Sequence, residues 1–189
     1  TQDSSSAASD VYKRQLTSSF IIYGFFFKLS VFLKIFSVFL FLPVTLLIFM
    51  KIPIASDHAG YAAKCVVLQI LKDLRVDVDD LGTHSEVSVD YPEYAVQVAQ
   101  KIDQGDAELG ILICGSGQGV CMTANKYSGV RAALVQDAET AALTRQHNNS
   151  NILCLPWQIL ENEPEILKNI LKNWLETPFE GGRHERRVQ

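Results

Sequence analysis

From residue 51 onward, short apolar runs alternate with helix-periodic segments five times over, and that order leaves few folds open. Lys51–Ser56 reads as a strand. Gly60–Arg75 reads as a helix with Ala63, Val67, Ile70, Leu71 and Leu74 on one face. Val76–Leu81 is a second strand. Pro92 opens the next helix, where Ala95, Val98 and Ile102 repeat at helical spacing, and Gln104-Gly105 ends it. Leu109–Cys114 is almost continuously apolar, the pattern of a strand buried on both faces. A glycine-rich turn and a short helix to Lys126 follow, then strand Val130–Val135. Asp137 is a good N-cap for helix Ala138–Gln146. Strand Asn151–Leu155 and the amphipathic helix Glu163–Glu176 complete the series, the latter carrying Ile166, Leu167, Ile170, Leu171, Trp174 and Leu175. The order predicts a three-layer α/β/α, Rossmann-like domain with a five-stranded parallel sheet. One residue conflicts with it: Pro53, inside the first strand, is expected to remove a ladder donor.

Residues 1–49 have a different composition. Nine of the ten phenylalanines lie there, but only two of the 21 acidic residues, and no cysteine or histidine. Setting aside their four basic and two acidic residues leaves 13 Lys and Arg against 19 Asp and Glu in residues 50–189. An acidic domain is thus expected at 50–189, with Met50 as its start, after a linker-like and apolar leader at 1–49. The leader reads as upstream sequence foreign to the domain. Its alternative is a membrane anchor within residues 20–49, although the longest uncharged run, Ile35–Met50, is 16 residues, short of a usual span. No small-x-small cleavage site follows the apolar run, which argues against a signal peptide. The acidic balance argues against nucleic acid as a partner. Four cysteines without a Cys-x-x-Cys spacing suggest neither a disulfide scaffold nor a structural zinc.

In parallel α/β sheets, ligands bind where strands end. Ser56-Asp57-His58 follows the first strand, Cys114-Gly115-Ser116-Gly117-Gln118-Gly119 the third, and Gln136-Asp137 the fourth. Arg145-Gln146-His147-Asn148-Asn149 closes a helix, and a tail runs from Gly181 to Arg187. The alternating glycines let backbone N–H groups converge on an anion at a helix N-terminus. The spacing is neither a Walker A loop nor the dinucleotide G-x-G-x-x-G, and a plain tight turn is the other reading. A thiol ringed by amides, as at Cys114, is set up to act as base or nucleophile, although a buried cysteine is more often a small hydrophobe. Cys65, Cys121 and Cys154 fit the hydrophobe. His58 and His147 are both expected to reach the crevice. Arg183, Arg186 and Arg187 form either a solvated basic tail or a phosphate clamp, since guanidinium forks match phosphate oxygens.

Taken together, Ser-Asp-His-Ala-Gly-Tyr at 56–61, Asp-Tyr-Pro at 90–92, Ile-Cys-Gly-Ser-Gly-Gln-Gly at 113–119, Ala-Asn-Lys at 124–126, Arg-Gln-His-Asn at 145–148 and Glu-Gly-Gly-Arg-His at 180–184 resemble the type B ribose-5-phosphate isomerases. That family also includes galactose- and allose-6-phosphate isomerases. The resemblance spans 50–189. It implies interconversion of ribose 5-phosphate and ribulose 5-phosphate through a cis-enediolate, in the non-oxidative pentose phosphate pathway, without metal or cofactor. By analogy His147, helped by Asp57, opens the furanose ring. Cys114 then moves the proton between C2 and C1, and Ser116 shuttles protons between O1 and O2. The N–H groups of Gly115, Gly117, Gln118 and Gly119 hold the enediolate. His58, Arg183 and Arg187 match phosphate contacts; Tyr91 and Asn148 match sugar contacts. The resemblance further implies a cytoplasmic homodimer or homotetramer with shared active sites.

The chain departs from the family after the fifth strand. Leu155-Pro156-Trp157-Gln158 stands where a glycine-rich stretch and an arginine are common, which removes one expected phosphate contact. Rival readings are a hexose-phosphate isomerase of the same family, a hydrolase built on Cys114 and His147, a non-catalytic sugar-phosphate-binding module, and a membrane-tethered protein.

Overall fold

A computed structural model describes residues 51–160 and 163–189. The expectations for the leader at 1–49 and for a start at Met50 lie outside the described residues. Five strands and seven helices follow in order: β1 Ile52–Ser56, α1 Tyr61–Asp73, β2 Val78–Asp80, α2 Tyr91–Asp103, β3 Gly110–Cys114, α3 Gln118–Ala124, β4 Ala132–Leu134, α4 Ala138–Asn148, β5 Ile152–Pro156, α5 Trp157–Leu160, α6 Pro164–Glu176 and α7 Glu185–Val188. The sheet is wholly parallel, in the order β2-β1-β3-β5-β4. Among the described residues no helix is long and apolar enough to cross a membrane.

Side chains of the central strands alternate between two cores, as a period of two requires. Ile52, Ile54, Ile111, Ile113, Leu153 and Leu155 pack on one face with Val67 and Leu71 of α1, Ala141 of α4, and Leu167, Ile170 and Trp174 of α6. Ala55, Leu112, Cys114, Ile152 and Cys154 pack on the other with Val98 and Ile102 of α2 and Val120 of α3. This is the three-layer α/β/α arrangement expected from the alternation. Trp174, fully buried, still satisfies its indole N–H, which donates to Ser150 Oγ at 3.0 Å.

Pro53 does not disturb the sheet in the way the sequence suggests. The Ile52 N–H donates to Asp77 O toward β2 at 2.9 Å, so position 53 faces β3. The β1–β3 ladder begins only at Ile54 opposite Ile111, so the missing donor falls outside it. Asp137 caps α4 as expected, its carboxylate accepting from Thr140 N at 2.7 Å and Thr140 Oγ1 at 2.8 Å. Those two bonds hold the Asp137 carboxyl below the ordinary aspartate range. Two short helices, α5 and α7, interrupt stretches that carry no helical periodicity of their own.

Candidate active site

The strand order reverses between β1 and β3, so the crevice of the sheet opens over their carboxyl ends. Asp57 and Cys114 both stand there. The Asp57 N–H donates to Ile113 O at 3.4 Å, and its carboxylate Oδ1 accepts from Gly60 N at 2.8 Å. Gly60 is held close to β3: a Cβ there would lie 2.8 Å from Ile113 O. His58 is half-buried, and its Nδ1 lies 3.2 Å from both Val89 N and Val89 O. That contact ties the loop before α2 to the crevice and brings Tyr91, the first residue of α2, beside the glycine turn. A Cβ on Gly119 would meet the Tyr91 ring at 2.8 Å.

Cys114, 5% exposed, closes β3. The Gly117 N–H donates to its Sγ at 3.1 Å, so the turn presents a backbone donor to the sulfur. Ser116 is exposed at the turn, and its Oγ accepts from Gln118 N at 3.4 Å. Gly117 has φ +72°, and a Cβ there would lie 2.4 Å from Leu134 Cδ1 and 3.0 Å from Pro156 N. Gly117→Ala is therefore expected to cost about 2 kcal/mol or more, from the left-handed backbone and the overpacking together. A denaturation midpoint equal to that of the unmodified protein would refute this.

Gln158 also belongs to this crevice, a residue the sequence reading treated only as a lost contact. Its N–H donates to Gly115 O at 3.0 Å, and its amide nitrogen lies 3.3 Å from where a Gly115 Cβ would stand.

His147, Asn148, Arg183 and Arg187 form a second cluster elsewhere. His147 lies in the last turn of α4. Its ring stacks on His184 with centroids 4.4 Å apart and planes 9° from parallel. Arg183 Nε donates to His184 Nε2 at 3.1 Å, and Glu180 Oε2 lies 3.8 Å from that nitrogen. Burial, then the neighbouring His147 and Arg183, hold the His184 pKa below the ordinary histidine value. Asn148 and Arg187 line a cavity of about 420 Å³ with Asn125, Arg131 and Thr144. A cavity of about 490 Å³ between α1 and α6 is larger, but lies away from both clusters.

One expectation is corrected here: His147 does not reach the crevice of its own chain. The chain leaves α4 at Asn148 and enters β5 at Ile152, which pairs with Gly110 at the opening end of β3. Cys114 pairs with Pro156 at the closing end. Four residues of strand, about 13 Å, separate the two levels. Asp57, His58, Tyr91, Cys114 and the glycine turn come together; His147, Asn148, Arg183 and Arg187 gather at the opposite, amino-terminal end of the strands. Glu180 and His184 were missed as individual residues, although their spacing of four around Gly181-Gly182 was visible.

Residues 52–189 match the ribose/galactose isomerase family. The chain belongs to that family. A probable ribose-5-phosphate isomerase B of Mycoplasma genitalium is 47% identical over 137 residues, 71% of this chain and 89% of the relative. Ribose-5-phosphate isomerase B of Escherichia coli is 40% identical over 139 residues, 74% of this chain and 92% of the relative. The crystal structure of the Mycoplasma genitalium ribose-5-phosphate isomerase B, with bound ribulose 5-phosphate, superposes with a TM-score of 0.68 at 46% identity, over 73% of this chain and 91% of that one.

Proposed function

We propose that this chain is an aldose–ketose isomerase that interconverts D-ribose 5-phosphate and D-ribulose 5-phosphate. The observation that carries the reading is Cys114 at the switch point, with the Gly117 N–H on its sulfur, Asp57 at the end of the neighbouring strand and Tyr91 against Gly119. A proton on carbon next to a carbonyl needs a base, and the enediolate left behind needs fixed donors. Cys114 Sγ takes the proton from C2 and returns it to C1, while the N–H groups of Gly115, Gln118 and Gly119 hold the developing oxyanion and that of Gly117 stays on the sulfur. Ser116 moves the hydroxyl proton between O1 and O2. The aldehyde must first be released from its ring, by a proton to the ring oxygen and removal of one from O1. His147 is the proton donor of that step, with Asp57 as its partner.

Those two residues lie at opposite ends of the strands of one chain, so the reading requires a second copy. One protomer supplies Asp57, His58, Tyr91, Cys114 and the turn; its partner supplies His147, Asn148, Arg183 and Arg187. A cytoplasmic homodimer or homotetramer acting on a sugar phosphate goes with this reading. The domain at 50–189 carries the whole activity, with the leader dispensable.

The test is ribulose 5-phosphate formation from ribose 5-phosphate in the presence of EDTA, by the full chain and by a chain beginning at Met50. Turnover by both supports the isomerase and the domain boundary; binding without turnover replaces the isomerase by a binding module. Arg187→Ala is expected to raise KM about tenfold with little change in kcat, from loss of a charge-assisted contact to phosphate. An unchanged KM makes Arg187 part of a solvated tail.

A further inference from the structure

We propose that His147, Glu180 and His184 form a binding site for a transition-metal cation of the Zn2+ or Co2+ type, and that filling it stops the isomerase reaction. The inhibition rests on the activity proposed above; the binding does not.

The three side chains each offer one ligand atom, and these atoms lie within 4.8 Å of one another. A tetrahedral ion with bonds of about 2.1 Å needs its ligand atoms about 3.4 Å apart. The widest separation therefore exceeds coordination geometry by about 1.4 Å, a distance that side-chain rotation covers. His184 Nε2 and Glu180 Oε2 already stand 3.8 Å apart. Glu180 is about half exposed and free to swing, whereas His184 is buried and gives the site a fixed wall. The backbone brings the segments together: the Glu180 N–H donates to Gln146 O at 3.1 Å, and Gly181 and Gly182, with φ of +64° and +54°, turn the chain so that Glu180 and His184 share one side.

The donor chemistry selects the ion. His184 Nε2 accepts a hydrogen bond from Arg183 Nε, so its lone pair is unprotonated and available once Arg183 turns away. Two imidazoles and one carboxylate suit zinc, cobalt or nickel rather than magnesium or calcium. The rings now stack 4.4 Å apart and 9° from parallel, so one must turn about its Cβ–Cγ bond and leave the stack for both lone pairs to meet one ion. Three protein ligands leave a fourth position for water. The positive charges of Arg183 and Arg187 oppose the ion, and the Glu180 carboxylate offsets them in part. The ring nitrogen of His147 that binds the metal can no longer carry a proton to the ring oxygen, so ring opening stops.

The test titrates the full metal-free chain with Co2+, followed by its visible absorption, and measures isomerase turnover during a Zn2+ titration reversed by EDTA. The expected result is one Co2+ per chain with low-symmetry visible bands and no thiolate-to-metal band in the near ultraviolet. Zn2+ then inhibits in the same concentration range. Glu180→Gln is expected to weaken both by about tenfold or more, while its turnover in EDTA stays that of the unmodified chain. Binding unaltered by Glu180→Gln, or a thiolate band that Cys114→Ala removes, overturns the site. Co2+ binding is read without turnover. An inactive chain that binds Co2+ in this way supports the site and counts against the isomerase; an active chain that does not bind overturns the site and leaves the isomerase standing.

Discussion

Replacing Cys114 by alanine is expected to lower ribulose 5-phosphate formation about 100- to 10,000-fold, with ribose 5-phosphate still bound. Cys114 is the residue at the strand end whose side chain both faces the glycine turn and accepts a backbone N–H, from Gly117 at 3.1 Å. Alanine keeps the β3 backbone and its pairing with Pro156, so the crevice persists without its base. The substitution leaves the Gly117 N–H without its acceptor and costs about 1 kcal/mol, too little to unfold an ordinary domain. Steady-state kinetics, calorimetric binding and deuterium exchange at C2 from solvent would be read together. Retained exchange and turnover would remove Cys114 as the base. Lost binding would assign it to the structure of the turn.

The second large effect comes from mixing two inactive chains. Cys114→Ala and His147→Ala are each expected to lose turnover of the ring-closed sugar. Refolded together in equal amounts, they are expected to recover about one quarter of the unmodified rate. In the proposed dimer, random pairing makes half of the pairs mixed, and each mixed pair has one site with both lesions and one with neither. This follows from the register that puts Cys114 beside Pro156 and Gly110 beside Ile152, which holds the two residues at opposite ends of the strands of one chain. If mixed dimers form and no activity returns, the site is not shared between copies.

Much of this was legible in local sequence. The Leu109–Cys114 run, the helical spacing of Ala95, Val98 and Ile102, and Asp137 before Ala138 each specify their element through neighbours in the chain. The glycine turn was legible as well, and the structure gives Gly117 the positive φ that glycine adopts without strain. Pro53 was misjudged because its effect depends on which neighbouring strand its missing N–H faces, and on where that ladder starts. The metal-like cluster escaped a search for cysteine spacing because its ligands are imidazoles and a carboxylate from separate elements.

By itself, then, the sequence determined the order of strands and helices, the glycine turn after β3, and the cysteine beside it, since each depends on contacts within a few residues. Only the tertiary structure decided that His58 meets the loop before α2 and Tyr91 the glycine turn, that His147 stacks on His184, and that these two groups lie at opposite ends of the strands. Those placements follow from strand order and register, which arise when distant apolar faces bury one another, and no local periodicity encodes them.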